Sequence, residues 1–323
     1  MDNALVLFET EPAFREDLKR VLSAYNVVFN EGTDTNKIDK GVAANTTIIF
    51  GSPKLDLIKL CPRLQWVQLQ SAGANGYIDG ELQDSVKLTC ASGCYGHAVS
   101  EHMLALTITL LKKLHLYRDE QAKSRWQDRG VVKSIQDAVV VVIGCGDIGS
   151  NYARRMKALG SYVIGVDRYA YKKFDFLDEF VLADKMEDVL PRADVVALIV
   201  PGVQSNSSLI GKAQLAKMKK DAVIVNCGRG TSIDTAALCD ALESGKIGAA
   251  GLEVTDPEPL PSDHKLWKLE NALITPHVAG GRHLRNTTEN IMKLNLENAR
   301  RFLKGEAMES VVNIKTGYRF PKE

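Results

Sequence analysis

Three short segments of this chain carry side chains suited to acid–base and electrostatic chemistry. Asn226-Cys227-Gly228-Arg229-Gly230 holds an arginine between two glycines. That leaves the guanidinium accessible as a planar fork of donors for a carboxylate. Thr255-Asp256-Pro257-Glu258-Pro259-Leu260-Pro261 holds Glu258 between two prolines, a stiff loop able to aim a carboxylate. Thr275-Pro276-His277-Val278-Ala279-Gly280-Gly281 delivers a histidine into a glycine-rich turn, and imidazole is the side chain that gains or loses a proton near neutral pH. Taken singly, each has a plainer explanation: a turn arginine, a solvated acidic loop, a structural histidine. The other histidines, 97, 102, 115, 264 and 283, carry no such context.

A fourth segment could hold phosphate. Gly144-Cys145-Gly146-Asp147-Ile148-Gly149 is G-x-G-x-x-G, follows an apolar run and opens a helix-like stretch. The first glycine permits the tight turn, the second lets the backbone approach a pyrophosphate, and the third allows close helix–strand packing. The helix start then offers free N–H groups to the phosphate charge. The next apolar run ends at Asp167, placed where a ribose-binding acid is expected. A carboxylate bonds a 2′-hydroxyl and repels a 2′-phosphate, which favours NAD over NADP, although neighbouring Arg168 softens that repulsion.

These segments need elements to present them, and the chain supplies an alternation. Short apolar runs at residues 4–8, 47–50, 64–69 and 86–90 predict strands, with an amphipathic helix over 12–24. A second series, 138–143, 162–166, 194–200, 222–226, 249–254 and 272–275, is clearer, with a helix over 150–159. Continuous apolar runs alternating with helices point to parallel sheets buried on both faces. Each candidate segment follows such a run, at the carboxyl edge where open parallel sheets bind ligands. Residues 101–116 read as one long, mostly buried helix, and residues 285–303 as a helix able to pack back on the first domain.

Composition sets the outer bounds. The chain has 323 residues, with 41 Lys plus Arg against 40 Asp plus Glu, a formal charge of +1. That length suits two domains, and the balance leaves no electrostatic footprint for nucleic acid and no polybasic membrane anchor. No apolar run nears the ~18 residues of a membrane span, and the N-terminus is a poor signal peptide, so a cytoplasmic protein is expected. The six cysteines read as free thiols. Cys90, Cys94 and His97 form C-x3-C-x2-H without a completing pair, so no metal site is expected.

Together the motifs make the chain resemble the D-isomer-specific 2-hydroxyacid dehydrogenase family. They are WVQLQSAG at 66–73, AVSEHMLAL at 98–106, GCGDIG at 144–149, VDR at 166–168, NCGRG at 226–230, PEPLP at 257–261 and TPHVAGG at 275–281. The resemblance covers most of the chain and is weakest in residues 1–60. It implies two Rossmann-like α/β domains, flavodoxin-like plus NAD-binding, each a doubly wound parallel sheet, with the active site in the cleft between them. The boundaries expected are 1–96 plus 285–323 for the substrate domain and 97–284 for the NAD-binding domain. It implies an oxidoreductase that reduces small 2-oxo acids (glyoxylate, hydroxypyruvate or pyruvate-like) to (R)-2-hydroxy acids, and a homodimer.

By the same resemblance Arg229 binds the substrate carboxylate and polarises the keto oxygen. His277 is the general acid in reduction, Glu258 bonds His277, and the amides near Ala72 and Gly73 take the other side of the carboxylate. Gly144, Gly146, Asp147, Ile148, Gly149, Asp167, Cys227, Gly228, Glu253 and Gly280 fall around the cofactor. The chemistry is consistent: hydride reaching a ketone carbon builds negative charge on oxygen, which needs a proton donor and a nearby cation. Three places depart from the family pattern. Position 253 is Glu where Asp is usual, Asn75 stands where Asp is frequent, and residues 201–208 (PGVQSNSS) replace a more regular Pro-Leu-Thr run. A non-catalytic NAD(H)-binding regulator of the same fold is the competing reading, and formate or phosphite oxidation has no positive cue.

Overall fold

A computed structural model describes residues 1–30, 32, 34, 37–78, 82–169, 174–281 and 284–317. The elements begin β1 (Asn3–Val6), α1 (Pro12–Val21), β2 (Asn26–Phe29), α2 (Lys40–Ala44), β3 (Thr46–Phe50), α3 (Leu55–Lys59), β4 (Trp66–Gln68) and β5 (Lys87–Thr89). They continue with α4 (Gly96–Leu111), α5 (Leu114–Ala122), β6 (Val139–Ile143), α6 (Asp147–Ala158), β7 (Tyr162–Asp167), β8 (Glu179–Leu182), α7 (Met186–Val189), β9 (Val195–Leu198) and α8 (Lys212–Lys217). The last are β10 (Val223–Asn226), α9 (Thr235–Glu243), β11 (Ala249–Leu252), β12 (Ala272–Ile274) and α10 (Arg285–Lys304). The chain divides into two units, Met1–Cys94 with Leu284–Glu323, and Tyr95–His283.

The first unit is a parallel sheet of order β2-β1-β3-β4-β5. Its central strands β1, β3 and β4 are buried along their length because both faces of the sheet are covered. Leu5, Ile49, Val67 and Leu88 enter one core, while Ala4, Val6, Ile48, Phe50 and Trp66 enter the other. The second core receives α10 from the far end of the chain: Ala299 is fully buried there, and Phe302 stacks on Trp66 with centroids 5.1 Å apart.

The second unit is a seven-stranded parallel sheet, β12-β11-β10-β9-β6-β7-β8. Val141 and Ile143 of β6 face one core, and Val140 and Val142 face the other with Met103 of α4 and Tyr152 of α6. The strand order reverses at β6, which lies between β9 and β7, and a ligand-binding crevice forms at such a switch point.

Two expectations needed correction. The single helix over 101–116 is two helices. α4 begins earlier, at Gly96, and ends where its apolar residues Leu110 and Leu111 have entered the core. Lys113 then takes a left-handed φ of 56° and starts α5, its Nζ donating to the Arg129 carbonyl at 2.7 Å. The strands β2 and β8 are additions. Both lie at sheet edges and are only partly buried, so neither carries the continuous apolar run of a central strand.

Candidate active site

At the end of β6 the chain turns at Gly144, with φ of 98°. A Cβ there would sit 2.4 Å from the Ile199 carbonyl oxygen, and one at Gly149 would sit 1.9 Å from that of Gly144. Only glycine permits either approach. The first turn of α6 has no side-chain cap, so its amides remain for an anion. The Asp147 side chain is occupied elsewhere, against Asn151 at 3.2 Å and beside Gly96 of α4. Ile148 packs on the core, so both residues offer the loop their backbone. At the end of β7, Asp167 accepts from the amides of Cys145 and Arg168, each at 2.7 Å, and is thereby fixed beside the glycine loop. Arg168 reaches Ser205 at 3.0 Å, which ties the loop after β9 to the loop after β7. Burial, then Asp167, pushes the Cys145 thiol up to about 12, so it carries no thiolate chemistry at neutral pH.

Next along the same edge, β10 ends at Asn226, whose side chain braces the following turn. Its Oδ1 accepts from the Gly228 amide at 3.0 Å and its Nδ2 donates to the Arg229 carbonyl at 2.9 Å. The flanking glycines are required by close packing: a Cβ at Gly228 would lie 2.8 Å from the Val200 oxygen, and one at Gly230 1.9 Å from the Thr255 oxygen. Arg229 is thus wedged between the loops after β9 and β11, with one guanidinium nitrogen donating to the Gly228 carbonyl at 2.7 Å. Burial lowers its pKa and the charge of Glu258 opposes that shift, and the guanidinium stays cationic near neutral pH. Cys227 is buried, and burial, then Glu253, pushes its thiol well up.

The loop after β11 carries Glu258 between Pro257 and Pro259, each following a cis peptide bond. Thr235 Oγ1 donates to the Asp256 carbonyl and Thr255 Oγ1 to that of Pro257, both at 2.8 Å. Glu258 Oε1 lies 2.5 Å from His277 Nδ1. His277 follows β12 with a left-handed φ of 53°, a conformation uncommon outside glycine. Its amide, shared between the carbonyls of Glu253 and Thr275 at 3.0 Å each, locks that turn. The ring's other nitrogen, Nε2, has no protein partner among the described residues, and the side chain is about half exposed (49%).

Glu253 is the residue whose surroundings sequence reasoning missed. Its side chain is only 3% exposed. Oε1 accepts from the Ala279 amide, and Oε2 from Thr275 Oγ1 and from His102 Nε2, the last at 3.1 Å. Burial pushes its pKa up, but the bonds from His102, the Ala279 amide and Thr275 outweigh it and hold the carboxyl below its ordinary value. His102 lies on α4, and nothing in its local sequence marks it as a partner for residue 253. Gly280 sits against Tyr95, where a Cβ would meet the ring at 3.0 Å. Ala72 and Gly73 lie in the first unit after β4, where Ser71 Oγ donates to the Gly73 carbonyl at 2.6 Å. Of the C-x3-C-x2-H residues, Cys90 and Cys94 are buried in the first unit, while His97 lies in the second beside Arg155 and Glu101.

Comparison with known proteins decides the family. Residues 104–279 match the family described as D-isomer specific 2-hydroxyacid dehydrogenase, NAD binding domain. The chain belongs to that family. A D-2-hydroxyacid dehydrogenase (NAD(+)) of Clostridioides difficile is 33% identical over 67% of this chain and 69% of its own. A D-3-phosphoglycerate dehydrogenase of Methanocaldococcus jannaschii is 30% identical over 94% of this chain but 59% of its own length. The crystal structure of a D-isomer specific 2-hydroxyacid dehydrogenase family protein from Aeromonas salmonicida superposes with a TM-score of 0.85 at 25% identity, covering 97% of this chain and 99% of that one.

The matched domain is one that binds NAD, and this site fits such a dinucleotide. The glycine turn is a cradle that any Cβ would fill, the α6 start is uncapped, and Asp167 stands beside it. Among the described residues no helix is long and apolar enough to cross a membrane, and no group of three His, Cys, Asp or Glu side chains could hold a metal ion.

Proposed function

We propose that this 2-hydroxyacid dehydrogenase reduces small 2-oxo acids (glyoxylate, hydroxypyruvate or pyruvate-like) to (R)-2-hydroxy acids with NADH, and that Arg229, Glu258 and His277 carry the reaction. The observation that bears the reading is the bond between Glu258 Oε1 and His277 Nδ1 at the sheet edge that also carries the glycine loop and Arg229. The amides of the 144–149 loop and of the α6 start would hold the pyrophosphate, and Asp167 would bond the adenosine ribose. When bound, the reduced nicotinamide supplies a hydride.

The protein's part follows from charge. As hydride reaches the carbonyl carbon, negative charge grows on the oxygen. Arg229, charged and largely withdrawn from water, stabilises that oxygen and clamps the substrate carboxylate. His277 delivers the proton from Nε2, because Nδ1 is engaged by Glu258. That carboxylate fixes the ring's orientation, and in the oxidative direction the same imidazole takes the proton back. We also propose a cytoplasmic homodimer. Trp126 is fully exposed and Val131 90% exposed in the irregular stretch 125–134, two apolar side chains that a second copy would cover.

The test is NADH consumption by the purified protein with 2-oxo acids of graded size, with 3-phosphoglycerate assayed in the oxidative direction. Turnover of the smallest acids, an (R) product and a mass twice the 35.5 kDa of one chain are expected. NADH binding without turnover of any acid would instead mark a regulator, and selective turnover of 3-phosphoglycerate would place the substrate elsewhere in the class.

A further inference from the structure

Glu253 touches alternate residues of the turn that carries the proposed proton donor. Its main-chain carbonyl accepts from the His277 amide at 3.0 Å. Its carboxylate accepts from Thr275 Oγ1 on one side of that histidine and from the Ala279 amide on the other. Behind it, His102 of α4 reaches both Oε2 of Glu253 at 3.1 Å and Thr275 Oγ1 at 3.0 Å. The residue is itself anchored, because its amide donates to the Asn226 carbonyl at 3.0 Å, next to the Arg229 turn. One side chain therefore spans a turn whose central residue sits in a left-handed conformation at φ of 53°, a state that persists only where its surroundings fix it.

We infer that Glu253 is a positioning residue: through Thr275, the Ala279 amide and His102 it holds the 275–279 turn so that His277 keeps its place against Glu258. The inference rests on the reading of His277 as proton donor. Chain length is central to it. The carboxylate has to reach Thr275 and Ala279 at once, and shortening the side chain by one methylene withdraws it by about 1.5 Å, comparable to a C–C bond. Two of the three donors on this buried carboxylate belong to the turn, and the third, His102, also bonds Thr275.

The experiment compares Glu253→Asp and Glu253→Gln with the parent protein. Amide exchange across residues 273–281 is followed by mass spectrometry without cofactor, and kcat and the NADH dissociation constant are measured alongside. Glu253→Asp should exchange faster in that peptide alone and lose about tenfold or more in kcat, as a misplaced catalytic group does, while NADH affinity stays within about twofold. Glu253→Gln keeps the reach and can repartner with Thr275 and His102, so it should restore both exchange and turnover to near parent values. Should Glu253→Asp fail to fold, Thr275→Val, similar in shape but without the hydroxyl, should show the same exchange and kcat signature. Unchanged exchange in the folded variant, or a loss confined to NADH affinity, overturns the inference. If the parent turns over no 2-oxo acid, the functional reading fails while the exchange arm still tests the clamp.

Discussion

Glu258 and His277 meet through a single contact, Oε1 to Nδ1, and much of the proposed chemistry depends on what that contact does to the ring. A carboxylate at Nδ1 fixes which nitrogen faces the substrate. Glu258→Gln keeps the shape and removes the charge. It should lower kcat by about ten- to a hundredfold, within the range general acid–base groups contribute, with little change in NADH affinity. Equal kcat in that variant would remove Glu258 from the mechanism. All three proposed side chains were legible in the sequence because each follows an apolar run and is framed by glycine or proline. The setting of Glu253 was not. Its substitution for the usual Asp was visible, but its partners are His102, brought up by α4, and Thr275 and Ala279, reached only once the 275–281 turn has folded. No local spacing encodes such a meeting.

At the scale of elements, the second unit separates two tasks between its sheet edges. The carboxyl edge carries the glycine loop, Arg229, Glu258 and His277. At the amino edge Asp194 ties strands and lysines together. Its Oδ2 accepts from the Val139 amide at the start of β6 at 2.9 Å, and its Oδ1 lies 2.9 Å from Lys219 and 3.3 Å from Lys133. Burial pushes this carboxyl up, but the Val139 amide and the lysines outweigh it and hold the pKa below its ordinary 3.8. A carboxyl with a depressed folded-state pKa contributes its stabilisation above the unfolded value and loses it as pH falls through the folded one. Asp194→Asn should therefore cost about 1–3 kcal/mol at pH 7, the worth of a charged hydrogen bond. The gap should close as denaturation is followed below pH 3.8, the ordinary value. A variant as stable as the parent at pH 7 would refute this. The central strands were readable as unbroken apolar runs, whereas the edge strands β2 and β8 and the break at Lys113 were not, since partial burial and a lysine in a left-handed turn leave little compositional trace.

For the whole molecule, the chain passes out of the first unit after Cys94 and returns to it at Leu284, so the second unit is an insertion within the first. The helix α10 completes the first core by stacking Phe302 on Trp66, far apart in sequence. The glycine loop, Arg229, Glu258 and His277 all lie in the second unit. In the proposed reaction His277 gives the substrate oxygen its proton. That step is tested most directly by kcat for reduction of a small 2-oxo acid with His277→Ala, alongside the NADH dissociation constant of the same variant. In that variant kcat should fall by roughly 10²- to 10⁴-fold with NADH still bound as in the parent. Near-parental turnover by His277→Ala would contradict it.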